Sequence, residues 1–306
     1  MAFGAWAVGG WPWGGTDEED AIAAIRRALD LGINFIDTAP AYGLGLSEEI
    51  VGRAVQGRRD QAVIATKCGL EWHVEKGTYF FTECDHKVYR YLGPESIRYE
   101  CEQSLSRLGT DYIDLYQTHW QDKTTPIEDT MAELLRLKDQ GKIRAIGVSN
   151  VQVSHLEEYR KIGTVDSAQE LYSMLDRRIE AELLPYCREN DIAVLAYSPL
   201  AQGLLTGKIG PEREFPEGDM RRGNPRYSAE NRERIRGILD GFRAIADAHG
   251  VTVGQLVIAW TLAQPGLTHA LVGARNPKQV EENAGAGDVI LTADEVETMS
   301  RAFATH

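Results

Sequence analysis

Short apolar runs and longer amphipathic stretches take turns along this chain eight times, and that alternation limits its possible folds more than any other feature. The runs cover residues 1–6, 33–37, 62–67, 113–118, 143–148, 165–169, 192–196 and 268–272, each of strand length. The stretches between them carry helical periodicity. In D-E-E-D-A-I-A-A-I-R-R-A-L-D-L-G (residues 17–32) acidic residues open the pattern and glycine closes it, as the helix dipole and a C-cap favour. S-E-E-I-V-G-R-A-V, P-E-S-I-R-Y-E-C-E-Q-S-L-S-R-L-G, P-I-E-D-T-M-A-E-L-L-R-L-K-D-Q-G and E-A-E-L-L-P-Y-C-R-E-N read the same way. Strand followed by helix, eight times over, means parallel strands joined by right-handed crossovers. In 306 residues that pattern fits one α/β domain, a closed (β/α)8 TIM barrel spanning residues 1–306, better than an open sheet.

Two connections are too long for plain linkers. Residues 69–93 carry Trp72, Tyr79, Phe80, Phe81 and Tyr89, and residues 198–227 are rich in Gly, Pro and Arg. Both follow strands, so both are long loops over the carboxyl-terminal rim, where barrel enzymes collect their chemistry. Aromatic residues in such loops shape a pocket in preference to a surface excursion packed on itself.

Four polar residues stand at or just past the ends of the early runs. They are Asp37 in I-N-F-I-D-T-A-P-A-Y-G, Tyr42 five residues on, Lys67 in A-V-I-A-T-K-C-G and His119 in Y-I-D-L-Y-Q-T-H-W. Singly, each has a plain structural role: a turn former, a wall aromatic, a solvated charge, a buried histidine. Together on one rim they suit the reduction of a carbonyl by hydride. The developing alkoxide needs a proton, which Tyr42 can supply if its phenol, with an ordinary pKa of about 10, is made acidic enough. A Lys67 ammonium favours phenolate, Asp37 holds the lysine, and His119 orients the substrate oxygen.

Composition excludes several other classes. At 43% hydrophobic and 26% charged, the chain is neither disordered nor fibrous, and its core needs no metal or disulfide staple. A net charge of −13 opposes a nucleic-acid or anionic-membrane surface. Neither a basic leader nor an apolar stretch of about 18 residues is present, and Cys68, Cys84, Cys101 and Cys187 show no CxxC spacing, so a cytoplasmic address with reduced thiols is expected. G-L-L-T-G-K (residues 203–208) is one residue short of a phosphate-binding P-loop and lacks the Ser/Thr after lysine. No G-x-G-x-x-G joins a strand to a helix. His73, Cys84, Asp85 and His86 match no zinc spacing, so no metal is expected. Cys68 adjoins Lys67, a cation that favours thiolate, yet reads as a passive neighbour.

D-T-A-P-A-Y-G, A-T-K-C-G and Y-Q-T-H-W resemble the three signature stretches of the aldo-keto reductase family, (β/α)8 barrels that use NADPH/NADP+ with an Asp–Tyr–Lys–His tetrad. The resemblance runs the length of the chain and is nearest to a bacterial branch of general-stress and inositol-locus reductases. In G-K-I-R-A-I-G-V-S-N it implies that Ser149 and Asn150 hold the nicotinamide carboxamide, with Gln169 of A-Q-E-L-Y-S sharing the task. In A-Y-S-P-L-A-Q-G-L-L-T-G-K it stacks Tyr197 on the nicotinamide and wraps the pyrophosphate with Ser198, Pro199, Leu200, Gln202, Gly203 and Lys208. G-A-R-N-P-K-Q-V-E-E-N resembles the adenosine site, with Gly273 at its start, Arg275 on the 2′-phosphate, and Gln279, Glu282 and Asn283 around adenine and ribose. Ala5, Trp6 and Asp37 join the cofactor set, and Trp6, Trp72 and Trp120 the substrate pocket. The family pattern departs in two places: a hairpin that plugs the barrel bottom ahead of F-G-A-W, and an Asn where this chain has Ser173.

The expected reaction is reduction of an aldehyde or ketone, or oxidation of the alcohol, on a small-molecule substrate without nucleic acid or membrane; the oligomeric state is open. Two other readings use the same residues. Lys67 could act as a Schiff-base nucleophile in an aldolase, which Asp37 opposes by keeping it protonated. The barrel could also serve as a redox-sensing regulatory subunit that binds cofactor with little turnover, although no stretch resembles a channel-docking extension.

Overall fold

Successive side chains of a strand face opposite ways, and this fold buries both faces. The computed structural model describes residues 1–10 and 13–304. In chain order its strands are β1 (Ala2–Gly4), β2 (Phe35–Asp37), β3 (Val63–Cys68), β4 (Leu70–Glu71), β5 (Thr78–Glu83), β6 (His86–Arg90), β7 (Ile113–Thr118), β8 (Ile143–Ser149), β9 (Ser167–Leu171), β10 (Ala193–Tyr197) and β11 (His269–Gly273). Eight of them close a parallel barrel in the order β1-β11-β10-β9-β8-β7-β3-β2. Consecutive residues fall into different apolar clusters: Ala65, Leu115 and Leu195 pack inside with Ala2 and Leu271, while Ile64, Tyr116 and Val194 face the helices. The sequence-based runs match these strands to within a few residues. The largest shift is at residues 165–169, where pairing begins at Ser167, opposite Gly147 of β8.

The helices are α1 (Glu18–Asp30), α2 (Leu46–Val55), α3 (Pro94–Leu108), α4 (Ile127–Asp139), α5 (Val153–Ile162), α6 (Leu183–Glu189), α7 (Ala229–Asp240), α8 (Arg243–His249), α9 (Val253–Leu262), α10 (Pro277–Ala284) and α11 (Ala293–Ala304). Asp17 caps α1 by accepting from the Asp20 N–H, and Gly109 ends α3 in the left-handed conformation. Among the described residues no helix is long and apolar enough to cross a membrane.

One connection expected to be irregular is ordered. Residues 70–90 form an antiparallel sheet in the order β4-β6-β5, laid over the rim. The turn between β5 and β6 holds Cys84 at φ 44° and Asp85 at φ 64°, the two left-handed residues of a hairpin turn. Asn-Gly or Asp-Gly marks such a turn in sequence; Cys-Asp does not.

The amino-terminal ends of the strands are tied by Arg59. Its guanidinium donates to the carbonyls of Ala62 and Tyr112, to the Thr110 hydroxyl and to Asp114 Oδ2. Asp114 also accepts from the Ile64 N–H and from Arg144. This cluster lies on the rim opposite the carboxyl ends and serves stability. Arg59→Met leaves Asp114 short of its main partner. It should lower the unfolding free energy in denaturant titration by about 2–4 kcal/mol, with turnover unchanged.

Candidate active site

Asp37 is the last residue of β2 and Lys67 the penultimate residue of β3, neighbouring parallel strands, so their side chains enter the barrel mouth together. Lys67 Nζ lies 2.8 Å from both Asp37 carboxylate oxygens and 2.9 Å from the Thr38 carbonyl. Its remaining neighbour is the Tyr42 hydroxyl at 3.3 Å. Asp37 Oδ1 also accepts from Gln169 Nε2 at 2.7 Å and from Gln117 Nε2 at 3.4 Å. Lys67 is 0% exposed, and burying its charge is tolerable only with this set of acceptors.

Tyr42 is carried by the turn between β2 and α2, and that turn is held by backbone against backbone. A Cβ on Gly9 would overlap the Tyr42 carbonyl, and one on Gly43 would overlap the Gly9 carbonyl. Glycine at both places lets the first loop seat the tyrosine. His119 follows β7 directly, its N–H donating to the Cys68 carbonyl at 2.8 Å. Its ring meets the Tyr42 ring edge-on, centroids 5.8 Å apart. Tyr42, Asp37 and His119 all face one cavity of about 740 Å³; Lys67 does not line it.

Burial, followed by the Asp37 charge, raises the Tyr42 phenol well above its ordinary value. The sequence-based expectation that Lys67 would make this phenol acidic is corrected: the ammonium is met by Asp37, and desolvation dominates. Burial likewise lowers Lys67, against the pull of Asp37. His119 is held well below the usual imidazole range by burial and then by Lys67, so its ring is neutral at pH 7. Cys68 is buried and its thiol is raised well above its ordinary value, first by burial and then by Glu100, so the proximity of Lys67 produces no thiolate.

The cavity wall combines two chemistries. Trp6, Ala41, Leu70, Phe80, Phe81 and Trp120 supply an apolar, largely aromatic part. Lys208, Arg213, Arg221, Arg226 and Arg275 supply cations, against Asp37 and Glu282 as the acids among the described lining residues. In a chain of net charge −13 this is a local concentration of positive charge, although Lys208, Arg221 and Arg226 are paired with Glu282, Asp219 and Asp176. Ser149, Asn150, Gln169, Tyr197, Ser198, Pro199, Leu200, Gln202, Gly203, Gly273, Gln279 and Asn283 line it too. Asn150 is at φ 57° and its amide donates to the His119 carbonyl at 2.9 Å, while Tyr197 donates to Asn150 Oδ1 at 2.8 Å. Ser198, Ala201 and Gln202 also have positive φ (56°, 46° and 52°), a run of strained backbone folded against the cavity. Lys208 pairs with Glu282, joining the loop after β10 to α10.

Two expected wall residues lie elsewhere. Trp72 borders a small separate cleft with Pro40, His73 and Tyr99. The Glu71 carboxylate accepts the N–H groups of Trp72 and His73 and turns the chain away from the cavity. Ala5 is buried with its N–H on the Asp37 carbonyl; its neighbours Gly4 and Trp6 line the cavity instead. Ser173 stands in a turn with Asp176 rather than on the cavity. Sequence reasoning missed Gln117, Trp13 and the arginines at 213, 221 and 226. Gln117 was readable from strand alternation, sharing the inward face of Leu115; the others reach the site only through tertiary packing.

Residues 1–303 match the family described as Aldo/keto reductase family. The chain belongs to that family. The reductase is 45% identical over 298 residues to the NADH-specific methylglyoxal reductase of Escherichia coli (strain K12), covering 95% of this chain and 90% of that one. The solved glycerol dehydrogenase of Gluconobacter oxydans superposes with a TM-score of 0.90 at 41% identity, covering 100% of the reductase and 91% of that chain. An aldo/keto reductase from Klebsiella pneumoniae, solved with NADP and acetate, gives a TM-score of 0.74 at 30% identity, covering 99% and 90%. The reductase is an oxidoreductase of carbonyl and alcohol groups that works with a nicotinamide cofactor.

Because Gly9 meets the Tyr42 backbone directly, Gly9→Ala must displace the tyrosine. A shift of about 1 Å at a reacting group can lower turnover about 100-fold. Steady-state kinetics on Gly9→Ala should show that loss in kcat, with cofactor affinity unchanged.

Proposed function

We propose that the chain is an NADP(H)-dependent reductase of aldehydes or ketones, acting as one catalytic unit in the cytoplasm, with Tyr42 as the proton donor. The observation that carries this reading is the placement of Tyr42, His119 and Asp37 on one cavity, with Lys67 buried behind them against Asp37 and the Tyr42 hydroxyl. The donor set suits the cofactor: hydroxyl and amide groups at Ser149, Asn150 and Gln169 for a carboxamide, the Tyr197 ring for stacking, and cations for phosphates. When bound, the nicotinamide supplies the hydride. The neutral His119 ring donates a hydrogen bond to the substrate oxygen and polarises the carbonyl. Tyr42 passes its proton to that oxygen, and the Lys67 ammonium stabilises the phenolate that remains. Asp37 holds Lys67 in place and takes no proton. Lys67, fully buried and outside the cavity, is out of reach of a substrate carbonyl, which argues against a Schiff-base mechanism.

The raised Tyr42 value gives the two directions different pH dependence. Reduction needs the protonated phenol, which persists throughout the neutral range, whereas alcohol oxidation needs phenolate. Carbonyl reduction should therefore be nearly flat from about pH 6 to 8, while alcohol oxidation by the same protein rises with pH. Tyr42→Phe should reduce turnover by about 100-fold or more while NADPH affinity, read by fluorescence titration, stays near wild type; unchanged turnover removes Tyr42 from the acid role.

Arg275 decides between the two nicotinamide cofactors in this reading. Its guanidinium lines the cavity and donates to the Gly15 carbonyl at 2.8 Å, leaving further N–H groups for a 2′-phosphate. Arg275→Ala should raise the KM for NADPH about tenfold, as loss of a charge-assisted phosphate contact implies, with little change for NADH. A native preference for NADH, the specificity in the name of the E. coli relative, would overturn the assignment.

A further inference from the structure

We propose that Arg90 is a positioning residue that holds Phe80 against Trp120 and so determines which carbonyl substrates the pocket admits. The inference deepens the carbonyl-reductase reading and rests on it.

The argument begins with the strand that carries Phe80. Neighbouring side chains of a regular strand face opposite ways, yet Phe80 and Phe81 both line the cavity. The register of β5 against β6 explains this: Tyr79 pairs with Tyr89 and Phe81 with Val88, which leaves Phe80 as an extra residue in a bulge. A bulge re-aims a side chain, but it also removes the ladder contacts that would hold it. Phe80 therefore needs an anchor from outside its own strand.

Arg90 supplies that anchor. It lies on β6 opposite Thr78 and Leu70, with its guanidinium carbon 3.9 Å from the Phe80 ring centroid and 4.5 Å from that of Trp120. The two ring centroids are 5.4 Å apart, so the cation sits in the corner that the rings make. Its Nε is buried and has no hydrogen-bond partner among the described residues. Burial lowers its pKa, and no carboxylate contributes to that shift. A partly buried guanidinium attracts an aromatic face more strongly than a fully exposed one. Here the aromatic faces are its company.

The position separates shape from chemistry. Arg90 does not line the cavity, whereas Phe80 and Trp120 do. Trp120 follows His119 in the chain, so the clamp ties the β5–β6 hairpin to the histidine's own loop. Neither ring donates a proton or belongs to the cationic lining. Loosening them alters the aromatic wall that a ring-bearing aldehyde packs against, and a small aldehyde makes little use of that wall.

The test compares a small dicarbonyl aldehyde with 4-nitrobenzaldehyde, both followed by NADPH oxidation. Arg90→Met keeps the stem and removes the cation. It is expected to raise the KM for the aromatic aldehyde about fivefold to tenfold, within the strength of a partly buried cation–π contact. Its kcat, and its KM for the small aldehyde, are expected to stay within about twofold of wild type, since no group at the reacting centre changes. Because Arg90 acts through Phe80, the rise is expected to vanish when Arg90→Met is made in a Phe80→Leu background. Arg90→Lys, which retains the charge but cannot lie flat against two rings, is expected to show the same selective rise at smaller size. Equal KM changes for both aldehydes in either variant, or an unchanged aromatic KM in Arg90→Met, would overturn the proposal. A wild-type protein that reduces neither aldehyde would instead overturn the carbonyl-reductase reading, and this inference with it.

Discussion

The Asp37–Lys67 ion pair is the constraint on which the rest of the site depends. A lysine with no exposure to water is unfavourable unless every donor finds an acceptor, and here two carboxylate oxygens and one carbonyl meet it at 2.8–2.9 Å. The Tyr42 hydroxyl stands just beyond them, at 3.3 Å from the same nitrogen. The same carboxylate gathers Gln169 from β9 and Gln117 from β7, so one buried charge pair ties the inward faces of four barrel strands together. Its position separates the two partners: Lys67 lies behind the cavity wall, while Asp37 lines the cavity beside the phenol and the imidazole.

That burial also changes how the tyrosine acts. A nearby cation alone would acidify the phenol, but the cation is already matched by Asp37, and burial together with the Asp37 charge penalises phenolate. An acid that stays loaded suits a step in which hydride transfer generates a far stronger base than phenolate. His119, kept neutral by the same dry surroundings and the same lysine, can donate its hydrogen bond without carrying a charge of its own. The cavity beyond gathers cations in a protein whose net charge is acidic, so its local charge differs in sign from that of the whole chain.

Much of this was legible in the sequence because barrels obey local rules. Eight strands were readable since each is short, apolar and followed by an amphipathic helix. Asp37, Lys67 and His119 were readable because a polar residue at the carboxyl end of a buried run stands out. The β4–β6 sheet was not, since its turn uses Cys84 and Asp85 in place of a glycine-bearing dipeptide, and its bulge puts Phe80 and Phe81 on one side. Trp72 was expected on the cavity because it is a tryptophan in an overhanging loop; Glu71 turns it away through two backbone N–H groups, a contact that no periodicity encodes.

Local pattern by itself determined the barrel, the rim that carries chemistry and the four residue types at its mouth, because alternation and strand ends are properties of neighbouring residues. Tertiary structure alone decided which charges are hidden, which aromatics face the cavity and how acidic the phenol is. Those depend on desolvation and on contacts between residues tens of positions apart, such as Arg90 on Trp120 and Gln169 on Asp37. Free energies of that kind are set by what surrounds a group in space, and the order of residues along a chain does not state it.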